Sequence, residues 1–170
     1  MCAILSMKLR EGVVTMARIY YTLKNPAQYV AEHNGAHYTF DGKHFFNGGE
    51  YVEIACKEYA GVPAVKDSST PYNVAADIPE VGASVKSSAA TVVNMKLAET
   101  LEKSLNVYFE NDASSEYWYG TIEKNILTIY KMTEKTFRRF LEKFSGLNER
   151  GYIRIKKENK QMISWLRANV

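Results

Sequence analysis

The residues of this 170-residue chain with the types and spacing for chemistry gather between Tyr72 and Val93, in Tyr-Asn-Val-Ala-Ala-Asp-Ile-Pro-Glu-Val-Gly-Ala-Ser-Val-Lys-Ser-Ser-Ala-Ala-Thr-Val-Val. The stretch reads as a short strand ending in Asp77, a tight turn through Pro79 and Gly82, and a second strand carrying Lys86 among small residues. An acid at the end of one strand and a lysine on its neighbour can share one sheet edge. Such a pair can hold a divalent cation and activate a water beside it. A second acid would be most useful two residues before the lysine, and Ser84 stands there instead. Upstream, Glu53 follows Gly49 in a segment of helical spacing and supplies a further carboxylate.

The elements that must position these groups follow from periodicity and turn chemistry. Residues 17–24 read as a strand or lead-in, and Pro26 opens a short helix over Ala27–His33 that Asn34-Gly35 stops. Ala36–Phe40 alternates like a strand, and Asp41-Gly42 signals a hairpin into Lys43–Phe46. Glu50–Tyr59 reads as a helix with Val52, Ile54, Ala55, Cys56 and Tyr59 on a broad apolar face, and 64–71 as a polar connection. Beyond Val93 a helix is expected over Met95–Glu110, capped by Asn94. Two strands, Tyr117–Ile122 and Ile126–Tyr130, follow around a Lys124-Asn125 turn. Thr133 opens a helix whose Phe137, Phe140, Leu141 and Phe144 form a core stripe ended by Gly146. A strand over Tyr152–Lys156 and a helix over Lys160–Ala168 close the chain. Residues 1–15 read as a loose N-terminal extension or alternative-start segment, and 16–170 as one α/β (α+β) domain, a mixed β-sheet flanked by helices.

Gly49-x-x-x-Glu53 on a helix, Asp77 at a strand end and Ser84-Val85-Lys86 on the next strand resemble the PD-(D/E)XK superfamily. This is the restriction-endonuclease-like fold, shared with Holliday-junction resolvases. The order of elements from 50 to 123 is similar to that family's core: a helix bearing an acid, a hairpin bearing D…(E/D)-x-K, a helix and a further strand. The resemblance implies Asp77 as a ligand of magnesium, and Glu53 as a second ligand or an acceptor for metal-bound water. It implies Lys86 as the group that orients the attacking water or stabilises charge on the scissile phosphate. Asp77, Glu53 and Lys86 are thus the expected catalytic residues. Ser84 departs from the pattern. Some type II restriction enzymes also carry serine there and take the acid from the following helix, which here gives Glu99, the better placed, or Glu102.

Cations elsewhere suggest phosphate contacts. Lys135, Arg138, Arg139 and Lys143 form a basic face opposite the phenylalanine stripe, and Arg150, Arg154, Lys156, Lys157 and Lys160 a basic C-terminal region. A net charge of +3 permits nucleic-acid binding without indicating it. Tyr117-Trp118-Tyr119 could stack on unpaired bases, although alternate members of a strand face a core. His33, His37 and His44 read as surface or turn residues, and Ser87-Ser88 lacks the context of a nucleophile elbow. Cys2 and Cys56 are isolated, which fits a reduced, cytoplasmic protein without structural zinc, and no N-terminal run is long enough for a signal peptide or membrane span.

The chain as a whole also resembles small proteins of phages and conjugative elements, and these resemblances imply a DNA-binding protein of a mobile element with a nuclease-like core, able to act as a magnesium-dependent phosphodiesterase and, like many restriction enzymes, to work as a homodimer. The alternative is a non-catalytic inhibitor of host defence, such as an anti-CRISPR protein that binds a defence nuclease. A small accessory protein without an active site is the third reading.

Overall fold

The computed structural model describes residues 5–10, 13–24, 30–33, 36–39, 48–62 and 76–170. A five-stranded sheet carries the architecture, in the order β1 (Leu5–Arg10), β2 (Val13–Thr22), β7 (Ile126–Met132), β6 (Glu116–Glu123), β5 (Ala83–Lys86). Only β5 and β6 run parallel; their connection passes through α2 (Leu101–Asn111), and every other pairing is antiparallel. The sheet is mixed and flanked by helices, as composition and periodicity suggest. Residues 1–15 were expected to form a loose extension; Leu5–Arg10 within them pairs with β2 and extends the sheet at its far edge.

The two faces of the sheet follow the strict alternation of its strands. One face turns Ile19, Val85, Trp118, Leu127 and Ile129 toward α1 (Gly48–Ala60), whose Val52, Ile54, Ala55 and Cys56 are buried against it. The other turns Tyr117, Tyr119, Tyr130 and Met132 toward α2, α3 (Glu134–Phe144) and α4 (Lys160–Asn169). The expected stripe on α3 is buried in full, and Tyr117 stacks on Phe137 with ring centroids 4.5 Å apart. Thr133 caps α3 by accepting from Thr136 N–H. The β6–β7 hairpin turns on Lys124 and Asn125, both with positive φ (48° and 62°), as a two-residue hairpin connection demands.

Four expectations need correction. Val30–His33 is a strand, β3, paired with β4 (Ala36–Thr39), and not the end of a helix. Asn-Gly serves a hairpin as well as a helix end, and the Val-Ala-Glu-His run fits the former. The strand expected to continue from Lys86 to Val93 ends at Lys86. The next helix starts six residues later than expected, capped by Thr100 and not Asn94, and residues 90–92 upstream of it run antiparallel beside β9 (Ile153–Ile155). A short strand unforeseen in the sequence, β8 (Ser145–Leu147), pairs with β9 where Gly146 suggested only a helix stop. Residues 72–75, Asp41-Gly42, Lys43–Phe46, the 64–71 connection, His44 and Cys2 lie outside the described residues.

Gly120 sets how closely α1 approaches the sheet. A methyl there would overlap Val52 Cγ1 and meet Cys56 Sγ and Leu127 Cδ1, each at 3.6 Å. Gly120→Ala is expected to cost about 1–3 kcal/mol in urea unfolding, and adding Val52→Ala should recover part of that loss by opening the space the methyl needs. A Gly120→Ala protein as stable as the parent would show that the helix is free to ride higher.

Candidate functional site

The site is built from an edge. β5 is hydrogen-bonded to β6 on one side only, so its outer N–H and C=O groups need other partners. Ile78 supplies two of them: its N–H donates to the Ala83 carbonyl (3.0 Å), and the Ile78 carbonyl accepts from Ala83 N–H (3.2 Å). Between these residues the chain makes one 3-10 turn over Pro79–Val81 and reverses at Gly82, φ 65°. The Gly82 carbonyl accepts from Ser115 N–H at 2.9 Å and Glu116 N–H at 3.2 Å, which ties the turn to the start of β6.

This reversal delivers Asp77 to the free edge of β5. Its Oδ2 accepts from Val85 N–H at 2.7 Å and from the Ser84 hydroxyl at 3.3 Å, with Lys86 Nζ 3.5 Å away. The structure thus brings Asp77 and Lys86 together, as the sequence pattern suggests. The lysine side chain is 11% exposed and the aspartate 30%. Ser84 occupies the position of the missing acid and acts as a donor to Asp77, while its hydroxyl also bonds the Tyr108 phenol. Burial, with Asp112 beside it, pushes the Tyr108 phenol far above its ordinary range, against the Ser84 bond.

The α1 side of the site brings an ion pair. Glu53 Oε1 lies 3.2 Å from Lys57 Nζ at i,i+4, and this pair is not the solvated surface bridge such spacing usually gives, because Lys57 is buried. Cys56, next to Lys57 in sequence, is fully enclosed. Burial raises its thiol strongly, Glu53 and then Asp77 add to that, and Lys131 opposes them. The carboxylates of α1 and of the turn therefore both act on one buried thiol. Lys131 is absent from the sequence reading. Its ammonium lies 4.7 Å from the Trp118 ring centroid and 5.4 Å from that of Tyr59. The available signal was its place in the alternation Leu127, Ile129, Lys131, which puts a lysine on a face otherwise buried.

Glu99 stands apart, in the irregular segment before α2, exposed and paired with Lys96 at 2.7 Å. Glu102 is exposed in the first turn of α2. Among the described residues no group of three or more His, Cys, Asp or Glu side chains is arranged to hold a metal. Magnesium favours carboxylate oxygens with room for its own waters. Here Asp77 Oδ2 faces three donors and Glu53 Oε1 faces Lys57, so these two oxygens are committed to protein partners.

The expected phosphate contacts divide into two kinds. Arg138 donates to Asn106 Oδ1 at 2.8 Å and lies over the Phe109 ring, joining α3 to α2. Arg139 donates to Asn169 Oδ1 at 3.3 Å and lies over Trp165, joining α3 to α4. These two arginines hold helices together. Lys135 and Lys143 are exposed on the same helix. Arg154, Lys156 and Lys157 are exposed along and just after β9, Arg154 also donating through Nε to the Ala89 carbonyl. Glu158 turns inward from this run and accepts from the Tyr119 hydroxyl, while its N–H donates to Ser88 Oγ. Tyr117, Trp118 and Tyr119 are all buried, so none of them offers a stacking surface.

Comparison of the chain with protein-family models, with curated proteins and with solved structures gives no match. No helix among the described residues is long and apolar enough to cross a membrane.

Asp77→Ala removes the acceptor of the Val85 N–H and should cost about 1–3 kcal/mol in urea unfolding. Lys86→Met, which keeps the aliphatic stem beside a partly exposed carboxylate, should cost under about 1 kcal/mol. A larger loss for Lys86→Met would mean that the ion pair, and not the edge hydrogen bond, holds the turn. Glu158 gives a pH dependence. Burial raises its carboxyl above the ordinary 4.5, the Tyr119 hydrogen bond opposes this, and Glu123 adds to it. Its contribution to stability is full below the unfolded value and is lost as pH rises through the raised folded value. The melting temperature of Glu158→Gln should therefore rise relative to the parent between about pH 4 and pH 7; a constant difference would count against a buried charge there.

Proposed function

We propose that this chain is a nucleic-acid-binding protein with a restriction-endonuclease-like core, and that it acts by binding rather than by magnesium-dependent cleavage. The observation that carries this reading is the engagement of Asp77 Oδ2 by Val85 N–H, the Ser84 hydroxyl and the Lys86 ammonium. A group so engaged serves the sheet edge, and leaves nucleic-acid contact to the exposed cations. The order α1, Asp77, Ser84-x-Lys86 on β5, α2, β6 supports the endonuclease-like reading of the core.

A second reading, a magnesium-dependent DNA phosphodiesterase, is favoured by one specific distance, the 3.5 Å between Asp77 Oδ2 and Lys86 Nζ. In that reading Lys86 would stabilise charge developing on the scissile phosphate. The two readings separate on supercoiled plasmid and single-stranded DNA, incubated with and without magnesium or manganese beside a Lys86→Ala control. Gel shift without cutting, by parent and variant alike, is the expected result. Metal-dependent cutting lost in Lys86→Ala would overturn the binding-only reading. Neither cutting nor binding would point to a protein partner, such as a defence nuclease held by an inhibitor.

A further inference from the structure

We propose that the nucleic acid is held as a duplex, through its phosphate backbone, on the basic ribbon of β9 and the residues that follow it. This rests on the nucleic-acid-binding reading and names its surface and substrate class. Two exposed basic surfaces compete for the role, α3 and the ribbon, and their side chains are committed differently. On α3 the two arginines are engaged with Asn106, Phe109, Asn169 and Trp165, and the remaining Lys135 and Lys143 alternate with exposed Glu134 and Glu142. On the ribbon Arg154, Lys156, Lys157 and Lys160 are exposed, Arg154 committing only its Nε, to the Ala89 carbonyl, and the acid among them, Glu158, turns inward to Tyr119. No ion pair engages any of these four cations among the described residues.

The backbone beneath them is held on both sides. β8 pairs along one edge of β9. Along the other, Val92 N–H donates to the Ile153 carbonyl and Ile155 N–H to the Ala90 carbonyl, each at 2.8 Å. Lys156 N–H donates to the Phe144 carbonyl at 2.7 Å, and Asn159 caps α4 where Lys160 begins. Ile153 and Ile155 are buried in the core, so Arg154 is forced outward, and Lys156 is exposed beyond it. Two residues along a strand advance roughly 6.8 Å, about twice the 3.4 Å axial rise per phosphate of one DNA strand. Side chains fixed at that interval can meet phosphates without first ordering the backbone.

The choice of duplex follows from the aromatics. Single strands are held by stacking bases on exposed rings, with cations tracking the backbone. Every aromatic side chain whose burial the structure describes is buried or half-buried. Phosphate contacts remain, and those carry position without sequence information.

The test is fluorescence anisotropy of the full chain with a labelled mixed-sequence duplex and each of its separated strands, in rising potassium chloride. Lys156→Glu/Lys157→Glu is compared with Lys135→Glu/Lys143→Glu, a variant of equal charge change, after thermal melts confirm that both fold. Expected are tighter binding to duplex than to single strand and a log–log salt slope of about −3 to −4 for four phosphate contacts. The ribbon variant should weaken binding about 10-fold or more and flatten the slope by about 2, while the α3 variant stays within about 3-fold. Equal losses in both variants, or a larger one in α3, would overturn the ribbon while leaving the nucleic-acid reading intact. Tighter binding to single strands would overturn the duplex assignment alone. No binding of any nucleic acid by the parent at low salt would overturn the underlying reading as well.

Discussion

An edge strand must have its outward backbone groups answered, and at β5 the answer decides the rest of the site. The turn from Ile78 to Ala83 answers one residue pair with two backbone bonds, and the Asp77 carboxylate answers the next N–H. A charged acceptor forms a stronger bond than a neutral one, but it brings a negative charge against a buried strand. Lys86, on the same strand, balances that charge from the opposite sign at 3.5 Å. The acid and the lysine therefore meet because the sheet edge needs them to, before any substrate is considered. A motif that reads as catalysis and a motif that reads as edge protection can share the same residues.

What was legible in the sequence was local. The phenylalanine stripe of α3, its Thr133 cap and the Lys124-Asn125 turn each depend on residues within a few positions of one another. The Asp77–Lys86 meeting belongs here too, since a turn of fixed chemistry, Pro79 to Gly82, joins the two residues. What was not legible depended on distant chain. Asn94 and Thr100 are both sound helix caps, and β9, some sixty residues on, holds residues 90–92 just upstream of Asn94 in an antiparallel pairing. The roles of Arg138 and Arg139 turned on Asn106 and Asn169, small amides whose positions no periodicity reveals. The depth of Lys57 was hidden in the same way, because a Glu-Lys pair at i,i+4 looks alike on a buried and a solvated face.

The distribution of aromatic and basic side chains separates core from surface with little overlap. Tyr117, Trp118 and Tyr119, adjacent in sequence and so directed to both faces of one strand, are buried because this strand has helices on both sides. A tyrosine-rich composition is thereby spent on packing. Some cations share that fate, with Lys131 over Trp118 and Arg138 over Phe109, where a flat ring and a cation stabilise one another. Other cations face solvent, Lys135 and Lys143 on α3 and Arg154, Lys156 and Lys157 on the β9 ribbon among them.

Ser84 is where these constraints meet. With serine in place, Asp77 and Lys86 form a neutral pair, and the hydroxyl adds a donor to the carboxylate. An acid in its place would put a second negative charge against Asp77, beside the buried Tyr108 phenol. Two carboxylates at such range cannot both stay ionised without a cation between them, and one would take up a proton instead. The site as built sets one acid against one lysine at 3.5 Å. Serine two residues before Lys86 thus gives Asp77 a donor where an acid would give it a rival acceptor.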